Sequence, residues 1–231
     1  MDLYSAQNAH RTAGKAAPVV DDALLERYTK ISSGTLTSQL FKRGLRQQVL
    51  VGIRPLNRVV KPFAGRAFTM RFIPAREDID TGATVTMRPD PVNLQWVGVE
   101  ELSAGDVLVI DSRGDIRGAS MGDILISRMQ RRGARAVITD GAFRDGAEIS
   151  RMEIPAWCAA VTATSRLSYH HVADLQVPIG CAEVAVYPGD VVHGDENNIT
   201  IVPSYLAEEI IAACEAQESL EVLWSNFGGH F

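Results

Sequence analysis

Paired cysteines, histidines, surplus positive charge and long apolar runs are all scarce in this 231-residue chain, and each scarcity closes off a class of function. Three cysteines, Cys158, Cys181 and Cys214, form no C-x-x-C pair, and the last two sit in apolar patterns. They read as reduced, buried thiols in a cytoplasmic protein rather than as a disulfide frame or a zinc knuckle. There is no H-E-x-x-H, which argues against a zinc protease. The formal charge of −5 disfavours nucleic acid or an anionic membrane as a partner, because phosphate binding is largely electrostatic. No apolar run approaches the ~20 residues a bilayer span requires. The opening "MDLYSAQNAHRTAGKAAP" lacks the apolar core of a secretory signal and reads as a polar arm.

What remains is an ordinary globular composition, 46% apolar and 22% charged. No repeat or convincing linker interrupts it. The expected organisation is an arm over 1–20 and one domain over 21–231. Asp21 or Asp22 caps a helix through "ALLERYTKI", and "SSGTLTSQLFKRG" reads as a second helix stopped by Gly44. "GRAFTMRFI" alternates like a strand, "RPDPVN" is a loop and "VGVEEL" a short helix. "GDVLVID" and "ARAVITD" are apolar enough to be central strands. Between them lies the helix "GDILISRMQRRG", with Ile124, Leu125 and Met129 expected inward and Gly133 as its stop. "IPAWCAAVTA" reads as one more strand. A β-meander is expected from Val177, followed by a long C-terminal helix capped by Ser204.

Residues 106–140 thus form a strand–helix–strand unit whose short loops fit a parallel crossover. A helix of about ten residues is ~15 Å long and runs back along a strand. Its N-terminus therefore shares the carboxyl edge of the sheet with the turn "GAFRD" that follows the second strand. Asp123, Arg144 and Asp145 should meet there, with Glu148 three residues on. In open α/β sheets this edge is where ligands bind. The helix start adds unpaired N–H groups that suit a carboxylate or phosphate, and "RGASMG" lets a ligand approach the backbone. Carboxylates with water suit Mg²⁺ or Mn²⁺. A hard cation beside an arginine and an anion cradle suits a small 2-keto acid, with the metal as Lewis acid. Each residue also has a purely structural reading. Asp123 makes a good N-cap, and Asp145 with Glu148 makes a D-x-x-E capping box that leaves Arg144 solvated.

Twenty residues separate Asp123 from Arg144, giving D-x20-R-D followed by x-x-E. With "MGDIL", "RGARAVITDGAFRD" and "VYPGDVVHGDENNITIVP", this resembles the class II pyruvate aldolases of the RraA-like family, over about Ser32 to Pro203. Those are the 4-hydroxy-4-methyl-2-oxoglutarate and 4-carboxy-4-hydroxy-2-oxoadipate aldolases. The resemblance implies a compact α/β fold of the β/β/α swivelling type, with N-terminal helices, a C-terminal helix and assembly as a trimer or hexamer with the site at the subunit interface. It implies Asp145 as the direct Mg²⁺ (or Mn²⁺) ligand, Asp123 holding metal-bound water, and Arg144 on the keto oxygen. Gly122 and the N–H groups of Ile124 and Leu125 would hold the pyruvate carboxylate, and Glu148 would hold water. A C-terminal glutamate of a neighbouring subunit would also reach the metal waters; Glu218 is the candidate, with Glu208, Glu209 and Glu215 as competitors. The implied reaction is cleavage of a 4-hydroxy-2-keto acid to pyruvate, with oxaloacetate decarboxylation alongside. A sugar-acid dehydratase or decarboxylase would use the same enolate chemistry, and a non-catalytic regulator of ribonuclease would act by protein binding. A phosphohistidine carrier would need a histidine in "GASMGD", and none is there. The chain departs from the pattern at Gln39, where relatives carry an acid, and at "TMRPDPVNLQWVGVEEL", which should reshape the pocket mouth.

Overall fold

The computed structural model describes residues 19–76 and 93–226. Helices α1 (Asp22–Tyr28) and α2 (Ser33–Lys42) come first. Each is begun by a side chain that accepts a backbone N–H, Asp21 from Leu24 and Ser32 from Thr35. Gly44, at φ 81°, turns the chain out of α2. There follow β1 (Val49–Leu50), β2 (Arg54–Pro55), β3 (Phe63–Pro74), α3 (Leu94–Glu101), β4 (Asp106–Asp111), β5 (Ala119–Met121), α4 (Asp123–Arg131) and β6 (Ala136–Thr139). Then come β7 (Ala142–Phe143), α5 (Gly146–Ile149), β8 (Ala156–Cys158), β9 (Ala160–Val161), β10 (His170–Leu175), β11 (Ile179–Cys181) and β12 (Val184–Val186). The chain closes with β13 (Val191–Gly194), β14 (Ile199–Val202) and α6 (Ala207–Asn226). Residues 1–18 of the arm expected over 1–20 and most of "RPDPVN" lie outside the described residues, and Val20, expected in the arm, is instead buried in the domain core.

The main sheet runs β1-β14-β13-β3-β4-β6-β8-β2, with β10 also on β3. Its centre, β3-β4-β6-β8, is parallel, as the strand–helix–strand reading requires. The apolar run of β4 is explained by cover on both faces. Leu108 and Ile110 pack with Met129 and Val99 of the helices on one side. Val107 and Val109 pack with Ile179 and Val186 of the β11–β12 hairpin on the other. A third cluster joins α1, α2 and α6 to Val191 and Val202. All three cysteines are buried and free. Among the described residues no helix is long and apolar enough to cross a membrane.

Three expectations are corrected. "IPAWCAAVTA" is not one strand: β8 lies in the main sheet, and β9 belongs to a second, three-stranded parallel sheet, β5-β7-β9. Ser204 does not cap α6 directly; it opens a 3-10 turn, Ser204–Leu206, and its N–H is taken by Asp190 at 3.1 Å. In α4 the inward residues are Ile126 and Met129, with Leu125 partly packed, whereas Ile124 is 49% exposed. Ile124 is the second helical residue, so it lies at the rim, ahead of the turn that meets the core.

Asp190 accepts from Ser204 and from Tyr187 at 3.0 Å, fastening the "YPGD" turn to the entry of α6. Burial pushes its carboxyl up to about 6, against those two N–H groups. The folded state therefore holds this proton more tightly than the unfolded chain. The stabilisation is complete below about pH 4 and is lost as pH rises through about 6. In thermal melts between those limits, wild type should lose ground to Asp190→Asn as pH increases. A melting-temperature difference that does not vary with pH would contradict this.

Candidate active site

The second sheet grows out of the carboxyl edge of the first. Each of β4, β6 and β8 continues upward into β5, β7 and β9 respectively. The crossing is fastened by a buried hydroxyl cluster. Ser112 and Ser120 Oγ lie 2.6 Å apart, and each is 3.1 Å from Thr139 Oγ1. Asp140 accepts from the N–H of Ser112 at 2.6 Å and of Gly114 at 3.0 Å. β5 then pairs in parallel with β7, Met121 opposite Phe143. The residues that leave these two strand ends are consequently neighbours: Gly122 and Asp123 from β5, Arg144 and Asp145 from β7. The Arg144 N–H donates to Met121 O at 3.0 Å. The sequence-based meeting of Asp123, Arg144 and Asp145 is what the structure contains.

Asp145 is the centre of the group. Its Oδ2 accepts from Arg144 Nε at 2.9 Å and lies 3.5 Å from the Asp123 N. Burial raises its carboxyl, but Arg144 and then Asp123 outweigh burial and hold it below the ordinary carboxylate range. The backbone of Asp145 is left-handed, φ 58° and ψ 37°, a region costly for a residue with a Cβ. Neither structural reading of the acids survives. Asp145 makes no side-chain cap on α5, because its carboxylate is turned toward Arg144 and Asp123. The N-cap of α4 is Gly122, and Asp123 is already the first helical residue. Glu148 stands on α5 with a side chain 54% exposed and a carboxylate 3.9 Å from Arg151.

A cleft of about 270 Å³ opens beside the group. Gly122, Asp123, Ile124, Leu125 and Arg144 line one side of it. The first-turn N–H groups of Ile124 and Leu125 are ones a helix cannot satisfy internally. Asn93, Gln95, Trp96 and Arg166 line it too. Of these, the departing segment "TMRPDPVNLQWVGVEEL" supplies Asn93, Gln95 and Trp96. Arg166 carries no signal in the sequence: it sits in "TATSRLS", which has neither period nor motif. Glu218 lies elsewhere in this chain, accepting from the Ser32 N–H at the start of α2 at 3.0 Å. Glu208 and Glu215 pair with Arg27, and Glu209 with Arg43. His170 and His193 are buried and hydrogen-bonded to the carbonyls of Gly118 and Ile31.

Among the described residues no three His, Cys, Asp or Glu side chains are grouped to hold a metal. Two adjacent carboxylates are present. That donor set does not fit an all-protein cage, but it fits Mg²⁺, which keeps several waters and takes one or two carboxylates.

The RraA-like family model, described as Aldolase/RraA, matches residues 17–201. The chain belongs to the RraA-like family. A Halalkalibacterium halodurans protein provisionally named 4-hydroxy-4-methyl-2-oxoglutarate aldolase is 31% identical over 120 residues, 52% of this chain and 56% of that protein. The match thus spans about half the length of that curated relative. Streptomyces coelicolor RraAS2, described as an unusual member of the RNase ES inhibitor RraA family, superposes with a TM-score of 0.79. It is 28% identical and covers 90% of this chain and 98% of its own. The Thermus RraA, described as an RNA-processing inhibitor, is 26% identical with a TM-score of 0.52, covering 72% of this chain and 92% of its own. The RraA-like α/β fold expected from the motifs is therefore the fold observed.

Proposed function

We propose that this RraA-like protein is a divalent-metal-dependent aldolase that cleaves a 4-hydroxy-2-keto acid to pyruvate, with oxaloacetate decarboxylation as a side activity. One observation carries the reading: Arg144, Asp145 and Asp123 converge at the paired ends of β5 and β7, with Asp145 held in a costly backbone conformation to do so. The provisional names of relatives support it.

Asp145 would hold the cation directly and Asp123 through water. The chemistry a divalent cation supplies when bound is Lewis acidity toward a 2-keto oxygen. The first-turn N–H groups of Ile124 and Leu125 orient the substrate carboxylate at the positive end of α4. Asp145 engages Arg144 through Nε, which turns the terminal nitrogens to the keto oxygen. Water held by the Asp123 carboxylate accepts the 4-hydroxyl proton. The O–H electron pair becomes the new carbonyl of the leaving fragment, and the C3–C4 pair moves into an enolate. The guanidinium stabilises the negative charge that develops on the enolate oxygen. Protonation at C3 then yields pyruvate. Exposed Ile124 and Val161, 49% and 53% accessible, flank this group and suit burial against a second copy, in the trimer or hexamer the resemblance implies.

The test is pyruvate release from oxaloacetate and from 4-hydroxy-4-methyl-2-oxoglutarate. Turnover should vanish with EDTA and return with Mg²⁺. Turnover indifferent to EDTA would remove the metal from the mechanism. The likeness to RraAS2 over most of the chain favours one second reading, a non-catalytic regulator of ribonuclease that works by protein binding. Inhibition of a ribonuclease by the purified protein, unaffected by EDTA and without pyruvate release, would replace the aldolase reading with that one.

A further inference from the structure

We propose that a groove between α2 and β1, away from the cleft, docks an acidic amphipathic helix of another protein. The charge of the chain is unevenly spread. Residues 27–76 carry eleven Lys and Arg and no Asp or Glu, in a chain whose formal charge is −5, so the rest carries −16. Folding neutralises part of this surplus with acids from outside the segment. Arg27 pairs with Glu208 and Glu215, Arg43 with Glu209, Arg66 with Asp22 and Asp106, and Arg71 with Asp174. Lys42, Arg46, Arg54, Arg58 and Lys61 are exposed, and none of the five has a carboxylate partner among the described residues.

Basic side chains on a surface are ordinarily just solvated, but two of these border an apolar hollow. The groove, of about 460 Å³, is lined by Leu40, Phe41, Leu45 and Val49 together with Lys42 and Arg46. Phe41 is 62% exposed, and the Arg46 guanidinium lies 5.6 Å from the centre of its ring. From β1 the chain runs directly into residues 51–62, which add Arg54, Arg58 and Lys61 and the exposed Val51 and Val59. An apolar hollow edged by unpaired cations is complementary to an apolar stripe flanked by carboxylates. A helix with apolar residues at i, i+4 and i+7 and acids beside them presents that stripe. A bilayer takes protruding apolar groups, and the hollow is concave. Single-stranded nucleic acid stacks its bases on aromatic faces. Phe41 is the one aromatic side chain lining the groove, and Arg46 already lies over it. β1 ends the main sheet, and β14, β13 and β3 separate it from β4, whose carboxyl edge leads to the cleft. Docking in the groove leaves the cleft open.

The probe is a labelled Leu/Glu/Ala peptide of five helical turns, ~18 residues, with leucine at every third or fourth position. Its binding to the full chain is read by fluorescence anisotropy. Wild type should bind it, and more weakly as salt is raised. Replacing its glutamates by glutamine, or its leucines by serine, should each cost roughly tenfold in affinity or more. On the protein side, Lys42→Gln with Arg46→Gln, and separately Phe41→Ala, should cost as much. All three side chains are exposed, so these variants should melt close to wild type. Oligouridylate and phosphatidylserine vesicles are the rival anions, and tighter binding of either through the same residues would overturn the proposal. So would a glutamine peptide that binds as well as the glutamate one, a failure to bind any peptide, or binding that the substitutions leave unchanged. Self-association of the chain that is lost with the Lys42 and Arg46 substitutions would give the groove to a second copy instead.

Discussion

Asp145→Gly is expected to melt higher than Asp145→Ala, while both lose pyruvate release. The carboxylate and the backbone of Asp145 pull in opposite directions. Its φ of 58° is natural for glycine and costs other residues roughly 1 kcal/mol or more. Aspartate tolerates the region better than most, but alanine keeps the Cβ clash and gains nothing from it. Glycine should therefore exceed alanine in stability by about 1 kcal/mol. The lost Arg144 pair matters little to folding, because the two side chains are 39% and 34% exposed and screened by solvent. Its loss matters to activity, since the carboxylate is both the proposed metal ligand and the group that engages Arg144 Nε. A drop of a thousandfold or more, about 4 kcal/mol in the barrier, is expected in both variants. Pyruvate release and thermal melts of the two proteins decide the matter. Turnover surviving in the glycine variant would take Asp145 out of the chemistry. A glycine variant less stable than the alanine one would mean the backbone conformation carries no cost.

That juxtaposition was legible because it depends on long, strongly patterned elements. β4, α4 and β6 declare themselves by apolar runs and a glycine stop, and their connectivity alone brings position 123 toward positions 144 and 145. What was not legible is short. β5, β7 and β9 are two or three residues each, too brief for any period. So "IPAWCAAVTA" read as one strand although the chain changes sheets at Ala159. The D-x-x-E spacing suggested a capping box because spacing carries no information about φ. Once Asp145 is left-handed, its carboxylate turns toward Arg144 instead of the α5 N–H groups. Arg166 was invisible for another reason. Its place at the cleft arises from the parallel bridge that its neighbour Ser165 makes to Ala119 and from a glutamine 71 residues earlier, and neither contact leaves a local pattern.

Gly122→Ala is the sharper test of the cradle, because it adds one methyl group and removes no functional atom. The Gly122 backbone, φ −124° and ψ 179°, is extended and open to any residue, so conformation does not demand glycine. Space does. A Cβ there would lie 2.7 Å from Asp145 Oδ2, 2.9 Å from Arg144 Nε and 3.0 Å from Arg144 Cγ. Those atoms belong to partly exposed side chains that can swing toward solvent. The cost in stability should therefore be small, about 1 kcal/mol or less, unlike overpacking in a rigid core. Swinging away separates Arg144 from Asp145 and moves both from the first turn of α4. A displacement near 1 Å in a positioned catalytic group costs on the order of a hundredfold, and here two groups move together. The expected protein is folded, melts close to wild type and releases pyruvate at least a few hundredfold more slowly. Gly122→Ser should behave alike. An alanine variant with near-normal turnover would show that the ion pair at the end of β7 can be pushed aside without consequence. The reacting atoms would then have to lie elsewhere along the cleft, nearer Arg166 than Arg144.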